Sequence, residues 1–307
     1  STLGPKNVVA DFNGGRLTTD AGGLLLREVA DRIGLFDALD AAIPDPRHPL
    51  FLIHDQRALL AQRVTAIALG YEDLNDHQAL RADPVLQIAV GRAPDLDLTL
   101  ASPPTLCRLE NRVDRETLVQ IAGVLIDQFV AAHAEPPEHL ILDLDATDDL
   151  VHGHQEKRFF HGYYDHHCFL PLYVFCGDEL LVAYLRPSDI DACQHARAVL
   201  KLLVQRLRAA WPKVKITIRA DSGFCRWRLM RWCDSHGLGY VLGLAKNTVL
   251  ERAARDEIER AQRQFCRTGQ PQRVFGSFSY AAKSWDRKRR VIVKAEHTAQ
   301  GPNPRYV

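Results

Sequence analysis

The sequence has no long hydrophobic run, no CxxC pair and only one methionine, and each absence removes a class of protein. Every apolar stretch is broken by a charge, glycine or proline well short of the about 18 residues that a membrane helix needs, so no membrane partner is expected. No basic segment leads into a short apolar stretch and a small-residue cleavage site, so no secretory leader is expected and the default compartment is the cytoplasm. The seven cysteines are odd in number and scattered between Cys107 and Cys266. That usage fits reduced, inert and mostly buried thiols, not a disulfide framework or a zinc ribbon. The methionine is Met230, the chain begins at Ser1, and it stops on the strand-like "NPRYV". Both ends are therefore expected to be edges of a longer protein.

What is present is ordinary in amount and uneven in placement. Hydrophobic residues make up 46% and charged residues 25% of 307 positions, enough for a sizeable core and for more than one domain. The net charge is only +1, yet from position 201 onward 23 Lys/Arg face 8 Asp/Glu, against 16 and 30 before it. A polyanion-binding face confined to one region explains this polarity, and so does a solvated surface of uneven charge.

The hydrophobic period divides the chain. Residues 1–135 read as a mainly helical N-terminal region. Thr19 or Asp20 can cap a first helix bearing Leu24, Leu25, Val29 and Ile33; "DQRALLAQRVTAIALG" and "DHQALRADPVLQIAVG" give two more; and a long amphipathic helix spans about 105–133. The period then changes to two. "EHLILDLDAT" alternates strictly, and "CFLPLYVFCG" and "ELLVAYLRP" follow as strands joined by a tight turn at Gly177 and Asp178. A helix (about 190–210), the strand "KVKITIRAD", a short helix and the strand "GYVLGLAKN" complete the order βββαβαβ over 136–248. The fold class expected is α+β: an RNase H-like mixed sheet with flanking helices behind the helical region. Residues 249–307 read as a charged helix plus a β insertion.

Two aspartates end apolar strands of this sheet. Asp145 closes "LILDLD" and Asp221 closes "KITIRAD". A carboxylate in that setting is costly without a partner or a metal ion. If the first and fourth strands are neighbours, both carboxylates reach one edge and can share a hard cation such as Mg²⁺ or Mn²⁺. Each also suits a plain turn: Asp145 as a cap, Asp221 before Ser222 and Gly223. Asp143 lies on the same face and competes with Asp145, whereas Asp148 and Asp149 read as loop residues.

The strings "LDLDATDD", "GYYDHHCFLPLYVFCG" and "IRADSGF", with "NGGRLTTDAGGLLLREV", "ALGYEDLNDHQALRADP" and "LASPPTLCRLEN" before them, resemble bacterial DDE transposases of the insertion-sequence thirteen-eighty group over nearly the whole chain. The resemblance implies a DNA transposase that uses a divalent metal to cleave transposon ends and transfer strands. It maps the first acid, which precedes a small residue and Thr, to Asp145, and the second, which precedes a short polar residue, Gly and Phe, to Asp221. The third acid, a Glu on a later helix, is expected beyond residue 307, so the chain without it is expected to be inactive alone; Glu296 lies in a strand-like run before that point and is not taken as its substitute. The implied partners are DNA, as terminal repeats and target, and further copies of the chain.

Candidate DNA contacts are Arg226, Lys246 and the run Arg287, Lys288, Arg289 and Arg290 at a hairpin. His152, His154, His161, His166 and His167 have spacings that send neighbouring rings apart, so they are expected at the mouth of the site or in solvent and not around zinc. Two other activities stay open on the sequence: an RNase H-like nuclease or resolvase, and a DNA-binding remnant without catalysis.

Overall fold

Capping residues and the two hydrophobic periods account for most element boundaries. The computed structural model describes residues 17–94 and 98–307 together with the short strands β1 (Thr2–Leu3) and β2 (Lys6–Asn7), which pair antiparallel. Residues 12–16 of the opening motif lie outside the described residues. The chain divides into two units, Ser1–Val124 and Leu125–Val307.

The first unit is helical, with α1 (Gly23–Arg32), α2 (Leu35–Ala42), α3 (Gln56–Ala68), α4 (His77–Leu80), α5 (Pro84–Ala89), α6 (Pro103–Asn111) and the first part of α7 (Arg115–Ala131). Two helices expected as single runs are broken. "DHQALRADPVLQIAVG" parts at Asp83, because Pro84 has no N–H to continue a helix but suits the first position of a new one. Asp83 Oδ1 accepts from the amides of Val85 and Leu86 at 2.8 and 3.0 Å and starts α5. The stretch 105–133 parts at 112–114, where Asp114 accepts from the Thr117 amide at 2.8 Å and its hydroxyl at 2.7 Å. The Thr19/Asp20 cap also fails. Asp20 instead accepts the Tyr71 hydroxyl at 2.9 Å, and α1 begins at Gly23 with no side-chain cap. Gly23 lies where an added Cβ would stand 3.0 Å from Val85, so α1 meets its neighbours on its small side, through Gly23 and Ala30. Leu24, Leu25, Val29 and Ile33, expected on a buried stripe, are exposed.

The core of this unit joins Phe36, Ala61, Leu86 and Leu100, with a second cluster around Leu59, Ala101 and Leu106. Gln62, 1% exposed, spans the Ala101 peptide by donating to its carbonyl and accepting from its amide, both at 3.0 Å. A buried amide so satisfied orients the chain entering α6.

The second unit carries the period-two elements: β3 (His139–Ala146), β4 (Asp149–Leu150), β5 (Phe159–His161), β6 (His166–Phe169), β7 (Leu172–Cys176), β8 (Glu179–Tyr184), α8 (Ala196–Ala210), β9 (Lys215–Ala220), α9 (Trp227–Ser235) and β10 (Gly239–Leu242). The main sheet has the order β10-β9-β3-β7-β8. β3 runs parallel to β9 and antiparallel to β7, β8 turns back on β7, and β10 lies parallel to β9. This is the mixed α+β sheet expected from the element order, with the first and fourth major strands adjacent. Leu140, Leu142 and Leu144 face one way and pack with Ile216, Ile218, Val174 and the α8 residues Leu200, Leu203 and Leu207. The spacing of those α8 positions is that of a helix laying one stripe on a sheet. "CFLPLYVFCG", expected as one strand, is two. Pro171 cannot donate to a ladder, and the chain changes sheets there, β6 joining β4 and β5 in a small sheet inserted between β3 and β7.

After β10 come α10 (Thr248–Ala253), α11 (Arg255–Thr268), β11 (Gln272–Tyr280), β12 (Arg289–Thr298), β13 (Gly301–Pro302) and β14 (Arg305–Tyr306). Val274, Val291, Val293, Ala295 and Tyr306 form a separate core with Leu250 and Ala261 of the two helices.

Candidate active site

The register of β3 on β9 brings the two strand-end aspartates together. Asp143 pairs with Arg219 and Leu144 with Ala220, and the next residue on each strand is Asp145 and Asp221. Neighbouring strands lie about 4.8 Å apart, so the two backbones are side by side at one sheet edge. Both side chains belong to the face opposite the leucines, and both residues are exposed.

The other acids considered are distinguished by their partners. Asp143, the competitor for the first position, is bound by both arms of the Arg219 guanidinium. Asp148 accepts from His166 Nε2 at 2.7 Å. Glu296 is held by Arg273 at 2.7 Å, whose hydrogen bond keeps its carboxyl below the usual range. Among the described residues no Lys, Arg or His forms an ion pair with Asp145 or Asp221. Asp145 and Asp221 are therefore carboxylates without a cationic partner among the described residues, whereas Asp143 is paired with Arg219 and Asp148 is hydrogen-bonded to His166. Among the described residues no group of three or more His, Cys, Asp or Glu side chains is arranged to hold a metal ion.

The turn that presents Asp221 is shaped by two glycines. Asp221 Oδ1 accepts from the Gly223 amide at 2.9 Å, and a Cβ on Gly223 would stand 3.0 Å from that same oxygen and 3.2 Å from Ala192 Cβ. From the other side Gly243, just after β10, donates to the Ala220 carbonyl at 3.0 Å; a Cβ there would meet the Ser222 amide nitrogen at 3.0 Å. Glycine is needed at both for close approach, not for a left-handed backbone. Arg186, 1% exposed, fastens the loop beside this turn by donating to the carbonyls of Leu170 (2.9 Å), Ala192 (3.0 Å) and Gln194 (2.5 Å). Burial pulls its pKa down.

The small sheet supplies further groups next to Asp145. Tyr164 donates to the Ala146 carbonyl at 3.3 Å and stacks on His166 with 6.0 Å between ring centroids. Burial, then the charges of Asp148 and Asp145, raise the Tyr164 pKa. His152, His154 and His167 are exposed, His154 beside Arg158 and His167 edge-on to Phe160. The Asp148–His166 pair, Arg186 and Gly243 were not singled out from sequence. Only their backbone neighbours reveal them, although an arginine directly after an apolar strand, "YLRP", is a faint signal for the second.

The family model for the transposase DDE domain, group 1, matches residues 1–307. The chain belongs to this family. Among solved structures it is similar to the piggyBac transposase in a synaptic complex with hairpin DNA, at 12% identity and a TM-score of 0.41, over 92% of this chain and 60% of that one. The chain thus spans about 60% of the length of that relative. No curated protein matches it.

The basic residues of this transposase-family chain fall into two groups. Lys288 and Arg290 are exposed; Lys246 reaches Asn303 at 3.0 Å, Arg226 pairs with Asp191 at 2.6 Å and Arg287 with Asp234 at 2.6 Å, all three on the surface. Arg289 is buried. It donates to Tyr240 Oη (2.9 Å), Asp286 (2.8 Å) and Asp234 (3.1 Å), and its guanidinium lies 5.8 Å from the Trp285 ring. Alternation along β12 decides this, turning residue 289 inward with Val291 and Val293 while Lys288 and Arg290 point out. Expected as a phosphate contact, Arg289 is a tie within the protein. The thiols include buried Cys168 and Cys233 and exposed Cys266; burial pushes Cys193 up to about 11 and Cys233 up to about 12. No helix of the described residues is long and apolar enough to cross a membrane.

Proposed function

We propose that the chain is part of a bacterial insertion-sequence transposase that cleaves the ends of its element, after which the freed 3′-hydroxyl attacks a target-DNA phosphate and displaces that strand's own 3′-oxygen. The supporting observation is the pair of uncompensated carboxylates, Asp145 and Asp221, on adjacent strands at an exposed sheet edge. Oxygen donors at an open edge suit Mg²⁺ or Mn²⁺, which retain water and phosphate in their shells. Asp145 and Asp221 would hold the ion, which when bound polarises phosphoryl oxygens and activates a hydroxyl or water. The chain's own contribution is placement. Gly223 and Gly243 let the Asp221 turn close on the sheet, and Arg186 holds the neighbouring loop. Arg226, Lys246, Arg287, Lys288 and Arg290 would meet phosphates, positioning the duplex without reading its sequence. The helical N-terminal region would bind DNA or a second copy, and the protein would work at the nucleoid in the bacterial cytoplasm.

The test is cleavage of a duplex carrying the element's end by the full-length transposase, third acid included, with Mg²⁺ present. Asp145→Asn and Asp221→Asn are each expected to abolish cleavage and the 3′-hydroxyl transfer product while Asp143→Asn retains part of both. Full cleavage in either of the first two refutes the assignment.

A further inference from the structure

The first unit contains a cavity of about 1000 Å³ whose wall is one-sided in charge. Arg47, Arg81, Arg92, Arg108 and Arg112 line it, and no described carboxylate does. Asp45 stands behind two of them, 2.7 Å from Arg47 and 3.0 Å from Arg112, so one anion serves two cations. The other three have only neutral partners among the described residues. Arg81 donates to Thr99 Oγ1 at 2.5 Å, Arg92 to the Ile53 carbonyl at 3.5 Å and Arg108 to Thr105 Oγ1 at 3.2 Å. Nε of Arg81 and Nε of Arg112 are buried without any hydrogen-bond partner. Guanidinium groups taken out of water and left short of acceptors are costly unless an anion completes them. The field is felt by His54 on the same wall: burial, then the charges of Arg92 and Arg81, press its pKa below the usual value.

Leu52, Leu59 and Leu109 supply apolar wall, beside the hydroxyls of Thr99, Ser102 and Thr105. At the mouth Phe51 is 82% exposed, its ring 5.2 Å from that of His48. An exposed aromatic face beside a positively charged groove is the combination that holds unpaired nucleic acid, phosphates on the cations and a base on the ring. A duplex carries its phosphates on a convex cylinder too wide to enter a cavity of this size. A single strand can bend into it.

We propose that this cavity binds an unpaired DNA strand, with phosphates on Arg81, Arg92 and Arg108 and a base stacked on Phe51. That the strand is DNA rests on the transposase reading above; that it is unpaired rests on the cavity.

The test is fluorescence anisotropy of the whole chain with a labelled thymidine oligonucleotide and with a duplex of equal length, across a salt series. Arg92→Glu and Arg108→Glu are expected to weaken single-strand binding about tenfold or more each. The slope of log affinity against log salt should fall by about 0.7 for each lost phosphate contact. Phe51→Ala should weaken single-strand binding with the salt slope unchanged. Should a charge reversal lower the urea midpoint, Arg108→Gln replaces it, with the same loss of slope expected. Wild-type single-strand affinity in the arginine variants overturns the inference, and so does an equal loss for duplex and single strand, which marks a general phosphate contact. Oligonucleotide binding is read without Mg²⁺ and needs no cleavage, so failed end cleavage by the parent and failed binding by the cavity variants are separate results.

Discussion

Neutralising the three consecutive basic residues Lys288, Arg289 and Arg290, where the chain enters β12, should give two unlike outcomes. Arg289→Ala removes a side chain that is 6% exposed and hydrogen-bonded to Tyr240, Asp286 and Asp234. Breaking a fully buried ion pair costs about 3–5 kcal/mol, because the remaining charge is stranded. Here Asp234 and Asp286 keep 27% and 29% exposure, and Asp234 keeps Arg287 at 2.6 Å, so water and the second arginine recover part of the loss. The expected cost is about 2–3 kcal/mol. Lys288→Ala and Arg290→Ala touch no buried partner and should stay within about 0.5 kcal/mol of the parent. Urea unfolding followed by tryptophan fluorescence suits the comparison, since Trp211, Trp227, Trp232 and Trp285 all belong to the second unit. The order reverses in duplex binding: Lys288→Ala and Arg290→Ala should each reduce the salt slope by about 0.9, the value for one phosphate contact on a duplex. Equal urea midpoints for Arg289→Ala and Arg290→Ala would refute the reasoning.

Gly243→Ala places a methyl group 3.0 Å from the Ser222 amide nitrogen, so the Asp221 turn must shift by a few tenths of an ångström. Single-turnover end cleavage should fall about tenfold with DNA affinity unchanged, as misplaced catalytic groups do; unchanged cleavage removes Gly243 from the positioning account. Asp45, with its pKa lowered from 3.8 to about 2 chiefly by the hydrogen bond from Arg47, stabilises the first unit fully above pH 3.8 and loses that contribution as pH falls through about 2. The gap in circular-dichroism urea midpoint between the parent and Asp45→Asn should therefore shrink from neutral pH towards pH 2; a constant gap contradicts the linkage.

The sheet was legible because its signals are local. Strict alternation in "HLILDLDA" assigns Leu140, Leu142 and Leu144 to the core, and Asp143 and Asp145 to the other face, whatever the neighbours are. What misled was also local: a helical or strand pattern carried through Asp83–Pro84, Asp114 and Pro171, where a cap or a missing N–H ended it. Alternation could not say which of Asp143 and Asp145 is free. Arg219 lies 76 residues away from Asp143, and only the pairing of β3 with β9 places its guanidinium there.

By itself the sequence determined the mixed sheet, its helical forerunner and the family, because periodicity, capping and motif order are written in neighbouring residues. Tertiary structure alone decided which charges are spent. It buried Arg289 on three partners, paired Asp143 with Arg219, tied Asp148 to His166, left Asp145 and Asp221 without a cationic partner among the described residues, and gathered five arginines around one cavity. Coulomb energy and desolvation depend on distance in space and access to water, and neither is fixed by position along the chain.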